Sequence, residues 1–266
     1  MLNKLFEIIM KKIIYLFLVV ALLSLASCTA VDNWDAPDCR FHGTVIDSYT
    51  NQPLLTSQND WQIRMWERSY AEVVSNYQTI PIKQDGSYND SRLFAGTYDM
   101  LPFDGPFWPV DTVKNVQLKS STEQNFTVTP YLQIVDFKTE MRSNGLYMSC
   151  RLKAPLKVNN GVALPNLVRI QGFVSHTVFC GNGSNSYINL AEFYSSPNIA
   201  RIEINRSWSA EMTASGIDPS SEFSKVYTLG PFPLKSGYTY HVRMGANVNV
   251  LSQRFNYSPI EKIVVP

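Results

Sequence analysis

Apolar and polar residues alternate along much of the chain after residue 40. The alternation is clearest in FHGTVID (41–47), WQIRMWE (61–67) and TIPIKQ (79–84). A period of two places one face of a β-strand in a core and the other towards solvent. Turn-forming segments, YTNQP and QDGSY, separate these strands, and Asp-Gly supplies the positive-φ glycine of a tight hairpin. The pattern predicts a small antiparallel β-sandwich that ends near Thr129.

A second series of strands follows Pro130, where a fresh alternating pattern begins at once. The linker must therefore be short, and we expect the two domains to touch. No strong helical period interrupts this half, and short strands in this number are typical of an immunoglobulin-like sandwich. Strands are predicted at 131–138, 145–153, 166–175, 186–192, 200–205, 224–229, 237–245 and 261–265. The predicted fold class is all-β, with two antiparallel β-sandwiches in tandem over residues 39–129 and 130–266.

The segment LKSGYTYHVRMGA shows the alternation of the second half most clearly. It resembles the sixth strand of fibronectin type III domains, with Leu234, Gly237 and Tyr240 placed as in the tyrosine corner, where the phenol hydroxyl bonds to the preceding loop. Tyr240 is therefore interpreted as structural. The alternation assigns Tyr238, Tyr240, Val242 and Met244 to one face and Thr239, His241 and Arg243 to the other.

The first half resembles the transthyretin-like or carboxypeptidase-regulatory module. Three stretches carry the resemblance: GTVIDSYTNQPL, QIRMWE and IPIKQDGSYNDSRLFAGTYDM. The resemblance implies a small β-sandwich that is normally a noncatalytic companion of other domains. Its anchor positions are Gly43, Val45, Asp47, Pro53, Leu54, Asp85, Gly86, Tyr88, Leu93, Gly96 and Tyr98.

The amino terminus has the pattern of a targeting segment. Lys11 and Lys12 precede an apolar run over 13–23, which is shorter than the ~20 residues that span a bilayer. Leu25-Ala26-Ser27-Cys28 resembles the lipobox of bacterial lipoproteins, which implies a signal peptide over 1–27, a lipid on Cys28 and a tether over 28–38. The alternative is an ordinary secretory signal that has a cysteine near its cleavage site.

Charge and cysteine content narrow the possible partners. Residues 1–27 contain three lysines and one glutamate, so their removal changes the formal net charge from +1 to about −1. Without a basic surface, nucleic acid is not expected as a partner. Cys39, Cys150 and Cys180 are an odd number and cannot all pair within the chain. Cys150 and Cys180 are interpreted as free buried thiols, with a disulfide between them as the alternative.

The sequence offers no recognisable catalytic motif. His42, His176 and His241 lack the spacing of a metal site, and neither a G-x-S-x-G elbow nor a phosphate-binding glycine motif occurs. A pair of carboxylates on two loops stays open as an alternative. The protein is predicted to be a non-enzyme without metal or cofactor. Calcium at Asp85, Asn89 and Asp90 is less favoured than a hairpin, and Thr112 in DTV resembles an O-glycosylation site.

Tryptophans supply the candidate binding residues. Sugar rings present apolar C–H faces that stack on indole, while nearby polar side chains hydrogen-bond the hydroxyl groups. Trp108 and Trp208 have proline or polar neighbours that favour loops, and Trp61 and Trp66 lie on opposite faces of one strand, so at most one of them is core. Core positions are the favoured interpretation for most of these indoles, and Trp108 and Trp208 are more evenly divided between core and exposed loop. The candidate ligand-binding residues are Trp61, Trp66, Trp108, Trp208, Asp104 and Asp111.

The order of these segments resembles a family of outer-membrane lipoproteins. Lipobox, tether, transthyretin-like domain, GPFWP and a domain ending in GYTYHVRMGANVNVLSQRFNYSPIEKIVVP carry the resemblance. The genes of that family commonly neighbour starch-utilisation-type uptake systems. The resemblance implies a cell-surface lipoprotein whose partners are a polysaccharide or oligosaccharide and an outer-membrane transporter with its glycan-binding lipoprotein. The alternative is a structural or adhesive spacer without a small ligand.

Overall fold

The structure is a computed structural model that describes residues 6–7, 10–15, 36–69, 76–182 and 197–266. Residues 37–266 form one compact unit, and 1–36 form another, in which residues 6–7 and 10–15 are helical. None of the described helices combines the length and the apolar character needed to cross a membrane. Cys28, Trp34 and the strand predicted at 186–192 lie outside the described residues.

Residues 39–128, the first half, form two facing sheets around one core. The strands are β1 (Cys39–Asp47), β2 (Gln62–Glu67), β3 (Gln78–Pro81), β4 (Ser87–Leu93), β5 (Gly96–Phe103), β6 (Val113–Leu118), β7 (Ser121–Glu123) and β8 (Phe126–Val128). One sheet has the order β3-β2-β5-β6, and the other has β1 at its centre, paired with β4, β7 and β8. β1 runs antiparallel to β4 but parallel to β7 and β8, so this sheet is mixed.

The apolar positions of the alternating pattern fill the core of the first half. Val45, Leu54, Tyr88, Leu93 and Tyr98, which carry the resemblance to the transthyretin-like module, are all buried in it. The segment QDGSY departs from the sequence prediction. It forms a tight turn in which Gly86 has φ +81°, but β3 and β4 belong to different sheets, so the turn connects the two sheets and is not a hairpin.

The described residues within 133–264, the second half, form a three-stranded sheet, a five-stranded sheet and a two-stranded pair. The strands are β9 (Gln133–Arg142), β10 (Gly145–Lys153), β11 (Val158–Asn159), β12 (Val162–Ala163), β13 (Leu167–Ser175), β14 (Arg201–Arg206), β15 (Phe223–Phe232), β16 (Thr239–Val248), β17 (Phe255–Tyr257) and β18 (Glu261–Val264). The three-stranded sheet has the order β15-β10-β9; the five-stranded sheet has β14-β13-β16, with β17 and β18 both paired to β16, and β11 pairs with β12. The predicted all-β, sandwich-like fold is confirmed.

Two helices occur among the described residues of the second half, α1 (Pro197–Ala200) and α2 (Trp208–Ala214). α2 was not among the elements predicted from the sequence. Ser207 caps it, accepting a hydrogen bond from the backbone N–H of Ala210, and Trp208 and Met212 turn the same side towards the core. A capping serine followed by apolar residues four positions apart is a helix signal, so this element was detectable.

Strand β16 agrees with the prediction on most of one face and departs from it on the other. Tyr238, which was assigned to the same face as Tyr240, precedes the strand and is 53% exposed. Tyr240, Val242 and Met244 are buried, and the Tyr240 hydroxyl accepts a hydrogen bond from the backbone N–H of Lys235, as in a tyrosine corner. Arg243 was assigned to the polar face but is only 1% exposed. That face is covered because it packs against the first half of the chain.

The two halves meet in a buried junction. The Arg243 guanidinium donates to the backbone oxygen of Thr56 at 2.8 Å. The Asn256 side chain accepts from the Leu132 N–H and donates to the Pro106 oxygen. Leu55 of the first half packs on a small apolar cluster of the second half that includes Tyr257. The expected contact between the halves is therefore extensive and includes polar groups that are satisfied across it.

Candidate functional site

Trp108 lies in an irregular segment between β5 and β6, as its proline neighbours predict, but the predicted exposure is wrong. Its side chain is 4% exposed and belongs to the core of the second half, with its ring centroid 5.2 Å from that of Tyr131. The loop folds over the junction, and its backbone N–H donates to Thr129. Trp108 therefore closes the junction and presents no open ring to a ligand.

Trp208 and Trp61 are also core residues. Trp208 is 3% exposed at the start of α2, and its indole N–H donates to the Ser221 oxygen at 2.8 Å. Trp61 is 3% exposed, and its indole N–H donates to the Thr56 hydroxyl at 2.8 Å. Both indoles have their polar atom satisfied inside the protein, so the interpretation of these two as binding residues is wrong.

The two candidate aspartates, Asp104 and Asp111, have different surroundings. Asp104 sits in a tight turn with φ +66° and pairs with Arg254, at 3.4 Å. Arg254 also pairs with Asp60, at 2.9 Å, a buried carboxyl whose pKa is raised by burial. Asp111 is exposed. Asp104 therefore helps to hold the junction, and Asp111 remains available to solvent.

Trp66 is the candidate tryptophan that reaches the surface. It lies on the outer face of β2, the face that turns away from the core of the first half, and is partly exposed. Its ring centroid is 5.7 Å from that of Tyr77, at 64°, and Tyr77 is 43% exposed. Two amphipathic aromatic rings thus stand together on an open sheet face.

This pair is part of a longer row. Arg64 lies two residues before Trp66 on the same face, and its guanidinium carbon is 4.3 Å from the Tyr77 ring centroid and 3.3 Å from that of Phe103. The register aligns Gln62 with Phe103 and Trp66 with Asp99, so strands β2 and β5 supply this face together. We call Trp66, Tyr77, Arg64 and Phe103 the aromatic row.

A groove continues from the Phe103 end of the aromatic row. It has a volume of about 310 Å³ and is lined mainly by apolar side chains of both halves, among them Leu101, Val110 and the fully exposed Leu251. Polar side chains stand beside the row, including Gln62 and the Asp99 carboxylate, which Arg68 contacts at 2.9 Å. Flat rings beside hydrogen-bonding groups are the combination that recognises a polar ligand with apolar faces.

Three of the four residues of the aromatic row were not among the sequence candidates. The alternation in WQIRMWE already places Arg64 and Trp66 on one face, because side chains two apart on a strand point the same way. Tyr77 and Phe103 come from other segments of the chain. Their position beside Arg64 and Trp66 follows from the strand register, which the sequence alone does not give. The sequence signal available was an arginine and a tryptophan in the polar phase of one strand.

A buried carboxylate in the second half also escaped the sequence analysis. Glu211 of α2 is 4% exposed and accepts hydrogen bonds from the Tyr227 hydroxyl, at 2.7 Å, and from Ser215. Arg206 and Lys225 lie 3.5 and 3.8 Å from its oxygens. Burial and the neighbouring carboxylate raise the pKa of Tyr227. Two hydrogen-bond donors and two cationic side chains surround the Glu211 carboxylate. This arrangement is typical of a structural residue that fixes α2 to the sheet.

The interpretation of Cys150 and Cys180 as free buried thiols is confirmed. Cys150 and Cys180 lie in different apolar clusters, and neither they nor Cys39 form a disulfide. Burial raises the pKa of Cys150 and of Cys180 to about 12, so both stay protonated and unreactive near neutral pH.

The remaining candidates have local explanations. Asp85 accepts hydrogen bonds from Ser87 within its turn, Asn89 accepts from Arg40, and Asp90 accepts from the Arg92 N–H. These three side chains therefore stabilise local backbone and neighbouring strands. Over the described ranges, no cluster of His, Cys, Asp and Glu has the arrangement of a metal site. Thr112 is partly exposed.

Comparisons with known proteins place this fold among solved structures. A protein from Bacteroides uniformis named "putative carbohydrate binding protein" has 24% identity, covers 86% of this chain and 100% of its own, and gives a TM-score of 0.67. A DUF3823 family protein from the same species has 21% identity and a TM-score of 0.63, and one from Parabacteroides merdae has 21% and 0.60; both have the same coverage. At these identities the likeness shows the fold.

A sequence comparison identifies the first half more closely. No curated protein matches the chain. Residues 39–129 match the family model described as "Protein of unknown function (DUF3823) N-terminal domain". The match covers the segment that contains β1 to β8, and with it every residue of the aromatic row. The first half of this chain is therefore similar in sequence to the N-terminal domain of DUF3823 proteins.

Proposed function

We propose that the protein is a non-catalytic glycan-binding or transporter-accessory lipoprotein of a polysaccharide uptake system. The observation that carries the proposal is the aromatic row on an open sheet face, where Trp66, Tyr77 and Phe103 offer stacking surfaces beside polar side chains. The similarity in fold to the Bacteroides uniformis protein whose name includes carbohydrate binding supports it. The partners we propose are a polysaccharide or oligosaccharide and an outer-membrane transporter with its own glycan-binding lipoprotein.

The binding proposal is tested by affinity electrophoresis of the full chain, purified in detergent, through gels that contain individual polysaccharides. Trp66→Ala and Tyr77→Ala should each weaken binding about tenfold, since a stacked ring contributes about 1 kcal/mol or more. Trp108→Phe is the matched control, because Trp108 is buried at the junction and should leave binding unchanged. Direct glycan binding is abandoned if no polysaccharide retards the wild-type protein.

The lipid anchor belongs to the same proposal and has its own test. The lipobox-like sequence Leu25-Ala26-Ser27-Cys28 supports attachment of a lipid at Cys28 and a location at the outer surface of the outer membrane. Cys28→Ala should abolish acyl labelling and release the protein from the membrane fraction, because stable anchoring needs more than one acyl chain and a lipobox product carries several.

Cys39→Ala serves as the control for the anchor test. Cys39 is buried at the start of β1, so its replacement should leave acyl labelling and membrane association intact. A Cys28→Ala protein that still carried labelled lipid would contradict the anchor, and the surface location would lose its support.

A second candidate function is a structural or adhesive spacer. The buried junction favours it, since Arg243, Asn256 and Trp108 fix the two halves to each other in the way that a stalk requires. Glycan protection separates the two functions. Acrylamide should quench Trp66, and a bound glycan should protect it; quenching that no glycan reduces would favour the spacer.

A further inference from the structure

Arg64 is the centre of the aromatic row, and its surroundings are unusual for a surface arginine. Phe103 and Tyr77 contact its guanidinium at 3.3 and 4.3 Å from the guanidinium carbon to the ring centroids. Its Nε is buried and has no hydrogen-bond partner among the described residues. The rings thus occupy the space beside the planar faces of the group. Because the Nε is closed to solvent, the N–H edge left for a ligand is that of the terminal Nη groups of the partly exposed Arg64.

The neighbouring arginines have partners that Arg64 lacks. Arg68 pairs with Asp99 at 2.9 Å, and Arg254 pairs with Asp60 and Asp104. Within the described part of the chain, no carboxylate lies within ion-pair distance of Arg64. Among the described residues, the Arg64 guanidinium therefore has no carboxylate partner, and it contacts the Tyr77 and Phe103 rings.

A guanidinium held in this way selects for a particular chemical group. Its N–H donors form a planar fork that matches the two oxygens of a carboxylate, and bonds to an ionised group are stronger than neutral ones. Shielding by the rings reduces the competition from water and strengthens the interaction further. Trp66 stands two residues away on the same face, about 7 Å along the strand, where its ring can stack on a sugar.

We propose that the aromatic row binds acidic polysaccharides, with a uronate carboxylate on the N–H edge of Arg64 and a sugar ring against Trp66 and Tyr77. This inference rests on the proposed glycan-binding function and adds the class of glycan. A sulfate ester presents similar oxygens, so sulfated polysaccharides share the chemistry and form a separate arm of the test.

The experiment measures affinity for matched pairs of polymers that differ in charge. The full chain in detergent is run through gels with polygalacturonate, alginate or hyaluronan, each beside its methyl-esterified form, and with dextran sulfate beside dextran. The uronate polymers should bind at least tenfold more tightly than their neutral esters, and the difference should shrink as salt is raised, because ion pairs at a partly exposed site are screened.

Substitutions of Arg64 test whether this residue causes the preference for charged polymers. Arg64→Gln should remove the preference for the charged polymers, a loss of tenfold or more, and Arg64→Lys should restore only part of it because a lysine keeps the charge without the fork. Arg142→Gln is the matched control: Arg142 also stacks on a tyrosine, at 4.2 Å from the Tyr147 ring centroid, but lies in the second half. Its removal should change nothing.

The outcomes distinguish the preference for acidic glycans from the proposed glycan-binding function. If neutral esters bind as tightly as uronates and Trp66→Ala abolishes both, the glycan-binding function stands and the acidic preference is overturned. If only the sulfated polymer depends on Arg64, the uronate assignment is overturned in favour of sulfate. If no polymer binds, both the inference and the proposed function fail.

Discussion

Single tryptophans in this chain have roles that their neighbours in the sequence do not reveal. Trp108 lies between the two prolines of GPFWP in an irregular segment, yet it is buried in the core of the second half. Trp66 has a strand pattern around it and reaches the surface. Local polarity indicates whether a residue lies in a loop, but burial depends on what the loop packs against. The sequence could therefore predict the loop at Trp108 and not its contact with Tyr131.

A substitution at Trp108 distinguishes a packing role from a binding role. The indole N–H is buried and has no hydrogen-bond partner within the described residues. Trp108→Phe keeps an aromatic ring and removes that unpaired donor, so the free energy of unfolding should change by about 1 kcal/mol or less. Trp108→Ala leaves a cavity at the junction and should cost about 3–5 kcal/mol.

Urea denaturation of the two Trp108 variants measures this difference. Polysaccharide binding by Trp108→Phe should equal that of the wild type. Equal destabilisation by Phe and Ala would show that the ring does not pack as described, and a selective loss of glycan binding would return Trp108 to the binding site.

Strand elements followed the periodicity of the sequence closely, and the departures have physical causes. β1, β2 and β10 lie where alternation predicts them, because each has one face in a core. β13 also lies at its predicted place, although nearly all of its residues are buried. α2 was missed because the spacing of its apolar residues, Trp208 and Met212, also fits a short strand. Only the capping residue Ser207 distinguishes the helix. The parallel pairing of β1 with β7 and β8 is a property of long-range topology, which period-two patterns do not encode. The aromatic row depends on register between β2 and β5 and was out of reach for the same reason.

Gly43 shows how one element depends on another. A Cβ at this position of β1 would lie 2.0 Å from the backbone oxygen of Gln124 and 2.7 Å from the Tyr88 hydroxyl. The backbone cannot move aside without disturbing the pairing of β1 with β7 and β8, so Gly43→Ala should lower the free energy of unfolding by about 2–3 kcal/mol.

Thr44→Ala is the matched control on the same strand. Thr44 is partly exposed, and its hydrogen bond to the Asn125 side chain uses the backbone N–H, which alanine keeps. Thermal or urea unfolding should show a loss of about 0.5 kcal/mol or less. Comparable losses at positions 43 and 44 would contradict the close approach of the chain at Gln124.

At the scale of the whole molecule, the junction makes residues 37–266 one compact unit. Its buried side chains come from both halves: Trp108 enters the core of the second half, and Arg243 reaches into the first. Buried polar groups of this kind are satisfied only when the halves are docked, so separation would expose apolar surface and leave donors and acceptors without partners. The groove beside Phe103 is also lined by both halves, so this groove depends on the junction, whereas the aromatic row lies entirely in the first half.

Arg243 provides the sharpest test of this coupling. Its guanidinium contacts the Thr56 oxygen at 2.8 Å and lies over the Tyr257 ring at 3.7 Å, and burial lowers the pKa of the group without neutralising it. Arg243→Ala leaves a cavity and an unpaired Thr56 oxygen and should cost about 3 kcal/mol. Because the contact joins both halves, hydrogen exchange should quicken in β1 as well as in β16, whereas Arg142→Gln, at an exposed pair, should alter neither. Faster exchange confined to β16 would show that the halves unfold independently.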